Sequence, residues 1–246
     1  LVGSEMCIRD SPHTHDAWLE DFDMQHSPGT VLHDGVGAIC DTVMQATSKV
    51  SLICIGPVPN IAAALARQPG ICDNAKFVGM HGSIRRGYLD APKPMREFNV
   101  KTHALACRAV FEAPWEKVIT PLDTCGNIIL DGERFAKIRE AATQQGPASA
   151  PGICLDCHFA WFEAVKHWPI LKHLNAQSQS SVLYDLVAVY LGFAEDLLVM
   201  EDLSVLVTPD GKTMIDDSGD NVRCATSWQD KHAFLDLVTE RLATSG

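Results

Sequence analysis

Residues 50–65 read VSLICIGPVPNIAAAL, and this stretch decides the fold. Val50 to Ile55 form a continuous apolar run, which is typical of a parallel strand buried on both faces. The run stops at Gly56-Pro57, and Asn60 can cap an alanine-rich helix over Ile61–Arg67. A buried strand that turns directly into a helix is the basic unit of an α/β protein.

The same alternation of strands and helices continues along the chain. Apolar periodicity predicts further strands at 76–80, 117–120, 203–208, 212–215 and 222–226, and helices at 37–47, 102–112, 131–142, 181–193 and 229–243. Turn residues indicate loops at 12–37 and at 146–152. The pattern predicts a doubly wound, mostly parallel α/β sheet.

The composition is that of an ordinary globular protein with an acidic surface. Apolar side chains make up 46% of the 246 residues, and the net charge is −11. These values argue against disorder and against a basic surface for nucleic acid. The chain has no apolar stretch long enough for a membrane span. Nine cysteines without a secretory signal favour free thiols in a reducing compartment, so we expect a cytoplasmic protein.

The start of the chain shows no structural pattern. It begins with Leu1 in place of Met, and residues 1–11 contain no sustained apolar segment. We interpret residues 1–11 as a scar of cloning or assembly. Residues 12–246 are then expected to form a single domain that is incomplete at its N-terminus.

Three segments fall where ligands bind in such sheets, at the carboxyl ends of the strands. The first is Gly56–Asn60, where a strand ends and a helix begins. The second is the loop after Met80, which leads to Glu97-Phe98-Asn99, and the third is Asp185. Free carbonyls, helix amides and carboxylates would meet at this edge of the sheet.

Each of these polar residues also has a purely structural explanation. Asn60 is a candidate helix cap, and Glu97 with Asn99 could belong to a solvated loop. Since Glu97 and Asn99 lie two positions apart, an extended backbone would point both to one side. Asp185 lies among apolar residues, so its carboxylate must be paired, bound to a metal or placed at a helix start.

Five short segments, in order and spacing over residues 31–243, resemble one enzyme family. GPVPNIAAAL matches a Gly-Pro-Leu-Thr-Asn-Leu-Ala segment, VGMHGSI stands at a Met-Gly-Gly, and MREFNV matches Ala-Glu-Phe-Asn. PLDTCG resembles a Leu-Asp-Val-Thr strand end, and LYDLVAVYL resembles a His-Asp-Ala-Leu-Ala helix. The family is that of the inosine-uridine preferring nucleoside hydrolases.

The resemblance implies that a small-molecule ribonucleoside is hydrolysed to free base and ribose, as in nucleoside salvage, with calcium as cofactor. It assigns the calcium to aspartates of an N-terminal Asp-Thr-Asp-x-Gly-x-Asp-Asp motif, to the main-chain carbonyl of Pro59 and to Asp185, which would also be catalytic. Calcium prefers such oxygen ligands and can make a bound water nucleophilic. A homodimer or homotetramer is implied as well.

The resemblance also implies the substrate-binding residues. Glu97 and Asn99 match positions that hydrogen-bond the ribose hydroxyls, and Met80 and Phe98 match residues that pack near the nucleoside. Fixed carboxylates near the ribose would stabilise the positive charge that develops as the glycosidic bond breaks.

The chain departs from the family pattern at three places. The Asp-Thr-Asp-x-Gly-x-Asp-Asp motif is absent, so we expect the first strand and its metal ligands to be missing and this chain to be impaired, in contrast to the full-length protein. Tyr184 stands where the family carries His as the leaving-group acid, and tyrosine is a weaker acid. Ala91, beside Asp90, stands where an asparagine contact to the ribose is expected.

Other classes of function remain open. A non-catalytic nucleoside- or ribose-binding protein on the same fold is the main alternative, and the missing upstream sequence would discriminate between them. Phosphorolysis would need a basic anion pocket, for which Arg85-Arg86 is the candidate.

Cys154-x-x-Cys157-His158 fits covalent haem attachment, but its context favours idle thiols. His81 follows a strand end beside the expected ribose pocket.

Overall fold

A computed structural model of the protein describes residues 29–166 and 174–244. The predicted scar at residues 1–11 and most of the predicted loop at 12–37 lie outside the described residues. The described residues fall into two compact units. The first unit comprises Thr30–Asn127 and Tyr184–Gln229, and the second comprises 128–166, 174–183 and 230–244.

The first unit is built on a six-stranded sheet. In chain order the strands are β1 (Val50–Cys54), β2 (Ala75–Met80), β3 (Lys117–Thr120), β4 (Leu198–Val207), β5 (Thr213–Ile215) and β6 (Asp220–Trp228). The order across the sheet is β1-β2-β3-β6-β4-β5. The first four strands of that order run parallel, while β4 pairs antiparallel with both β6 and β5. The predicted α/β class with a mostly parallel sheet is confirmed.

Ten α-helices lie within the described residues. They are α1 (Gly35–Gln45), α2 (Pro59–Arg67), α3 (Ile71–Asn74), α4 (Phe98–Thr102), α5 (Ala104–Glu112), α6 (Leu122–Cys125), α7 (Gly132–Gln145), α8 (Ala150–Val165), α9 (Asp185–Leu191) and α10 (Lys231–Thr244). A 3₁₀-helix spans Tyr88–Asp90. Among these described helices, none combines the length and hydropathy that crossing a membrane requires.

Aromatic side chains fill the core of the first unit beside the sheet. Phe77 on β2 is fully buried and stacks on Trp115 with ring centroids 5.8 Å apart, and it meets the edge of Phe111 at 6.2 Å. Every residue of β3 and nearly every residue of β2 is buried. β2, which carries Met80 at its carboxyl end, is therefore closely packed inside the sheet between β1 and β3.

Several predicted boundaries are wrong. The helix predicted at Ile61 begins at Pro59, so Asn60 lies inside its first turn and is not the cap. Proline favours the first helical position, where its missing N–H has no partner to lose. The helix predicted over 181–193 covers only Asp185–Leu191, and the one predicted over 102–112 is interrupted at His103.

The second unit contains α7, α8 and α10. Exposed ion pairs join α7 to α10, including Arg134 to Asp236 at 2.7 Å. Helix α8 begins at Ala150, directly after Ser149, whose hydroxyl accepts the Gly152 N–H and caps the helix. The predicted loop at 146–152 therefore ends inside a helix.

The cysteine pair of the haem-like motif lies on α8. Cys154 is exposed and Cys157 partly buried, and both are free thiols whose pKa values are raised by burial. His158 Nε2 lies 2.9 Å from the Ala176 carbonyl, and its ring packs on Phe135. Because the histidine is engaged in the interior of the unit, its geometry agrees with the interpretation of idle thiols.

Candidate active site

Asn99 lies at the carboxyl ends of two neighbouring strands. Its Nδ2 donates to the Met80 carbonyl at 2.9 Å, at the end of β2, and lies 3.4 Å from the Ile55 carbonyl, just after β1. The same nitrogen is 3.4 Å from the Met80 sulfur. Asn99 is 6% exposed, and its Oδ1 makes no hydrogen bond within the part of the chain that the structure describes. One acceptor of this buried amide is therefore available to a ligand.

Glu97 caps the helix that carries Asn99. One carboxylate oxygen accepts the Asn99 N–H at 2.7 Å, and the other accepts the N–H groups of Val100 and Gly82, each at 3.1 Å. Glu97 is 2% exposed, so the solvated loop considered from the sequence is wrong. The extended arrangement is wrong as well, because Asn99 already belongs to α4.

Burial changes the acidity of Glu97. Desolvation raises the pKa of this carboxyl group to about 7, against three backbone hydrogen bonds that lower it, and the charge of Asp185 raises it further. The two carboxylates therefore lie within electrostatic reach of each other. A carboxylate offers about four acceptor sites, so Glu97 keeps about one for a ligand.

Asp185 is the first residue of α9 and is partly buried. Asp185 therefore lies at a helix start, one of the three positions that the sequence allows, although the cap residue itself is Tyr184. Within residues 29–166 and 174–244, no hydrogen bond or ion pair engages the Asp185 carboxylate, and burial raises its pKa to about 6. A desolvated carboxylate without a partner is costly to fold, and such groups concentrate at functional sites.

Asp123 organises the loop at residues 84–86, a role that was not predicted from the sequence. Its carboxylate accepts the N–H groups of Ile84, Arg85 and Arg86 at 2.9, 2.7 and 3.2 Å. Asp123 is 7% exposed, and burial raises its pKa while these bonds lower it. An acidic residue directly after the end of β3 was the available signal, since ligand and loop contacts gather there.

Two tyrosines and a phenylalanine flank the carboxylates. The Tyr88 hydroxyl accepts the Phe98 N–H at 2.8 Å, and the Tyr88 ring meets the Tyr184 ring edge to face, with centroids 6.0 Å apart. Burial and the charge of Glu97 raise the pKa values of both tyrosines, so both hydroxyls stay protonated. Neither tyrosine is therefore an effective acid near neutral pH.

His81 joins the ends of β1 and β2. Its Nε2 lies 3.1 Å from the Gly56 carbonyl, and burial lowers the pKa of the ring to about 4. The ring is therefore neutral near pH 7, and its Nε2–H donates to that carbonyl. Gly56 leads into Pro59, which is the exposed first residue of α2. His81 thus supports the segment to which the resemblance assigns a carbonyl ligand.

The polar side chains at the site form an incomplete set of metal ligands. Within the described ranges, no three His, Cys, Asp or Glu side chains come together in a way that could hold a metal ion. Among the described residues at the site, Asp185 offers an unpaired carboxylate. The described side chains therefore do not by themselves fit a complete metal site.

The candidate anion pocket for phosphorolysis is already paired. Arg85 forms a two-pronged ion pair with Glu201 at 2.6 and 2.9 Å, and Arg86 lies 3.6 Å from Asp90. Since both guanidinium groups face carboxylates, neither presents an unshared charge to a phosphate. The geometry disfavours phosphorolysis.

A family model described as inosine-uridine preferring nucleoside hydrolase matches residues 9–236. The chain belongs to this family. It is 30% identical over 134 residues to a non-specific ribonucleoside hydrolase, RihC, from Klebsiella pneumoniae, and the match covers 53% of this chain. A Salmonella agona protein of the same name matches equally well in identity and coverage. The match spans 43% of the length of each of these relatives.

Solved structures agree on the fold of this nucleoside hydrolase family member. The purine-preferring ribonucleoside hydrolase from Gardnerella vaginalis superposes with a TM-score of 0.73 at 21% identity, covering 94% of this chain and 72% of that one. An inosine-uridine preferring nucleoside hydrolase from Bacillus anthracis gives 0.60 at 20% identity, over 86% and 65% of the two chains. The family is metal-dependent in general.

Proposed function

We propose that the protein hydrolyses the N-glycosidic bond of ribonucleosides and releases ribose and a free base. The observation that carries the proposal is the pair Glu97 and Asn99, buried at the carboxyl ends of β1 and β2 within electrostatic reach of Asp185. Membership of the family supports the reaction class. The residues supply oxygen acceptors where ligands enter such sheets.

Each of these side chains has a definite task in the proposed reaction. The free acceptor site of Glu97 and the Oδ1 of Asn99 would accept hydrogen bonds from ribose hydroxyls. Glycosidic cleavage passes through an oxocarbenium-like state with positive charge on the sugar. The carboxylates of Glu97 and Asp185 would stabilise that charge, because both are fixed and poorly solvated. Met80 and Phe98 would pack near the nucleoside.

We further propose that the metal ion is calcium, with Asp185 and the Pro59 carbonyl among its ligands. Calcium takes six to eight oxygen ligands, and carboxylates are the strongest of them. The part of the chain that the structure describes offers one free carboxylate at the site. We also propose that the chain binds calcium weakly and turns over slowly, because its sequence lacks the Asp-Thr-Asp-x-Gly-x-Asp-Asp motif.

Calcium titration of the purified chain by isothermal calorimetry tests the metal proposal. We expect no saturable binding at micromolar calcium, because the motif to which the resemblance assigns most of the carboxylate ligands is absent from the sequence. Asp185→Asn should then leave the titration unchanged. A micromolar dissociation constant that Asp185→Asn abolishes would contradict the proposed impairment.

Product analysis tests the reaction itself. Incubation of the chain with inosine or uridine should release free base and ribose slowly, at a rate that added phosphate does not change. Chromatography of the products distinguishes ribose from ribose 1-phosphate. Asn99→Leu should reduce base release at least about tenfold, since it removes a buried acceptor, while the matched variant Asn74→Leu on α3 should not. Nucleoside binding without base release would favour the non-catalytic alternative.

Assembly, location and physiological role remain predictions. We propose a cytoplasmic homodimer or homotetramer that takes part in nucleoside salvage. Light scattering coupled to size-exclusion chromatography measures the assembly directly, and a monomer at micromolar concentration would contradict it.

A further inference from the structure

The loop between β2 and α4 contains two consecutive non-glycine residues in the left-handed region. Leu89 has a φ of 53° and Asp90 a φ of 61°, and no other non-glycine residue in the described part of the chain has a positive φ. A bulky side chain disfavours this conformation, which persists where surrounding contacts impose it. Here the Leu89 N–H donates to the Gly126 carbonyl at 3.2 Å, and the Gly87 N–H donates to Ala91 at 2.9 Å.

The strained turn directs the side chain of Tyr88 towards the candidate site. The Tyr88 hydroxyl accepts the N–H of Phe98, the first residue of the helix that Glu97 caps. Its ring meets Tyr184 at an interplanar angle of 82°, and Tyr184 directly precedes Asp185. One side chain therefore contacts both segments that carry the carboxylates.

The hydrogen bonds at the start of α4 show what Tyr88 adds. The first N–H groups of a helix have no partner within the helix. Glu97 accepts those of Asn99 and Val100, and Tyr88 accepts that of Phe98. Three consecutive amides thus have fixed partners, and Tyr88 supplies the one that Glu97 does not reach.

We propose that Tyr88 is a positioning residue of the nucleoside site. Its hydroxyl fixes the first amide of α4, and its ring supports Tyr184, so that Glu97, Asn99 and the start of α9 keep one arrangement. The strained turn at Leu89 and Asp90 holds Tyr88 in that place. The effect on substrate binding rests on the proposed function, whereas the coupling of Tyr88 to α4 does not.

Amide hydrogen exchange, resolved by NMR, tests the coupling in the whole chain. Tyr88→Phe keeps the ring and removes only the hydroxyl. We expect the Phe98 amide to exchange about tenfold faster or more, in line with the loss of one hydrogen bond. We also expect several-fold faster exchange at Asn99 and Val100, whose bonds to Glu97 depend on the same helix start.

Tyr190→Phe is the matched control. Tyr190 lies on α9, five residues beyond Asp185, and its hydroxyl donates to Asp196 at 2.7 Å, so the variant also removes the hydrogen bonding of a buried tyrosine hydroxyl. Exchange at residues 98–100 should stay as in the parent. Calorimetry with inosine as the probe should show a dissociation constant about tenfold higher for Tyr88→Phe and unchanged for Tyr190→Phe.

Different outcomes separate the proposals. Unchanged exchange at Phe98 in Tyr88→Phe overturns the positioning role, as does faster exchange at Phe98 alone. An unchanged dissociation constant together with faster exchange at all three amides also overturns it, because Tyr88 would then support only the fold. If the parent binds no inosine, the proposed function fails, while the exchange at residues 98–100 still decides whether Tyr88 fixes α4.

Discussion

Asp123→Ala should lower the free energy of unfolding by about 3–4 kcal/mol. The Asp123 carboxylate accepts three consecutive backbone N–H groups, those of Ile84, Arg85 and Arg86. Alanine would leave all three without an acceptor, and an unpaired buried donor costs about 1–3 kcal/mol. The expected total lies near the lower end of the range for three such donors, because Arg85 and Arg86 are exposed and water can reach their amides.

Urea denaturation followed by circular dichroism measures the effect of Asp123→Ala. Asp202→Ala is the control, because Asp202 is exposed and lies 3.7 Å from Arg223 in a surface ion pair. It should change stability by no more than about 0.5 kcal/mol. Asp123→Asn keeps one acceptor oxygen and should fall between the two. A loss below about 1 kcal/mol for Asp123→Ala would show that the loop does not depend on these bonds.

The sequence was sufficient to predict the sheet and the edge at which the site lies. VSLICI and KFVGM are strongly apolar and end at turn residues, and both form strands within one residue of the prediction. Met80 was placed at the end of a strand, with Glu97 and Asn99 beyond the loop that follows it; in the structure Glu97 accepts the Gly82 N–H and Asn99 donates to the Met80 carbonyl. Local periodicity and the rule for carboxyl ends carry this information, because both act over short stretches of chain.

The partners of the polar side chains could not be predicted in the same way. Glu97 binds Gly82, fifteen residues away, and Asp123 binds a loop thirty-seven to thirty-nine residues away. Such pairings depend on the path of the folded backbone, which periodicity does not contain. The error at Asn60 is different, because Pro59 competes for the helix start and its fixed φ moves the boundary by two residues.

Helix ends in apolar segments were the weakest predictions. Residues 181–193 are apolar enough for a long helix, yet only Asp185–Leu191 is helical. The N–H of Leu183 donates to the Ile128 carbonyl at 2.8 Å, so the preceding segment pairs with another part of the chain. Tertiary hydrogen bonds of this kind override local propensity.

Glu97→Gln should change how stability depends on pH. The pKa of Glu97 is about 7 in the folded protein and 4.5 as the ordinary value. Between pH 4.5 and 7 the native state holds a proton that the unfolded state has released. The contribution of Glu97 to the free energy of unfolding is therefore complete below pH 4.5 and is lost as the pH rises through 7. The difference between the two pKa values corresponds to about 3 kcal/mol of unfolding free energy. Glutamine does not titrate, so the free energy of unfolding of the variant, relative to that of the parent, should rise by about this amount between pH 4.5 and 8.

The measurement is the difference in unfolding free energy between parent and variant across this pH range. His81 also titrates in this range, in the opposite sense, and its contribution cancels because both proteins contain it. Asp185 titrates in the same sense as Glu97 and cancels only in part, because the two charges interact. Glu116→Gln is the control at an exposed position, where it removes a surface ion pair with Lys49 at 3.1 Å that is worth at most about 1 kcal/mol. A difference for Glu97→Gln that does not change with pH would mean that its carboxyl group is solvated.

The same titration links stability to binding. Ribose hydroxyls donate hydrogen bonds, and an ionised carboxylate accepts them better than a protonated one. Nucleoside affinity should therefore rise as pH passes from 6 to 8, over the range in which the parent loses stability. Ionisation of the buried Glu97 carboxylate therefore has two opposite effects. It lowers the stability of the folded protein, and it makes the carboxylate a better acceptor for the ligand.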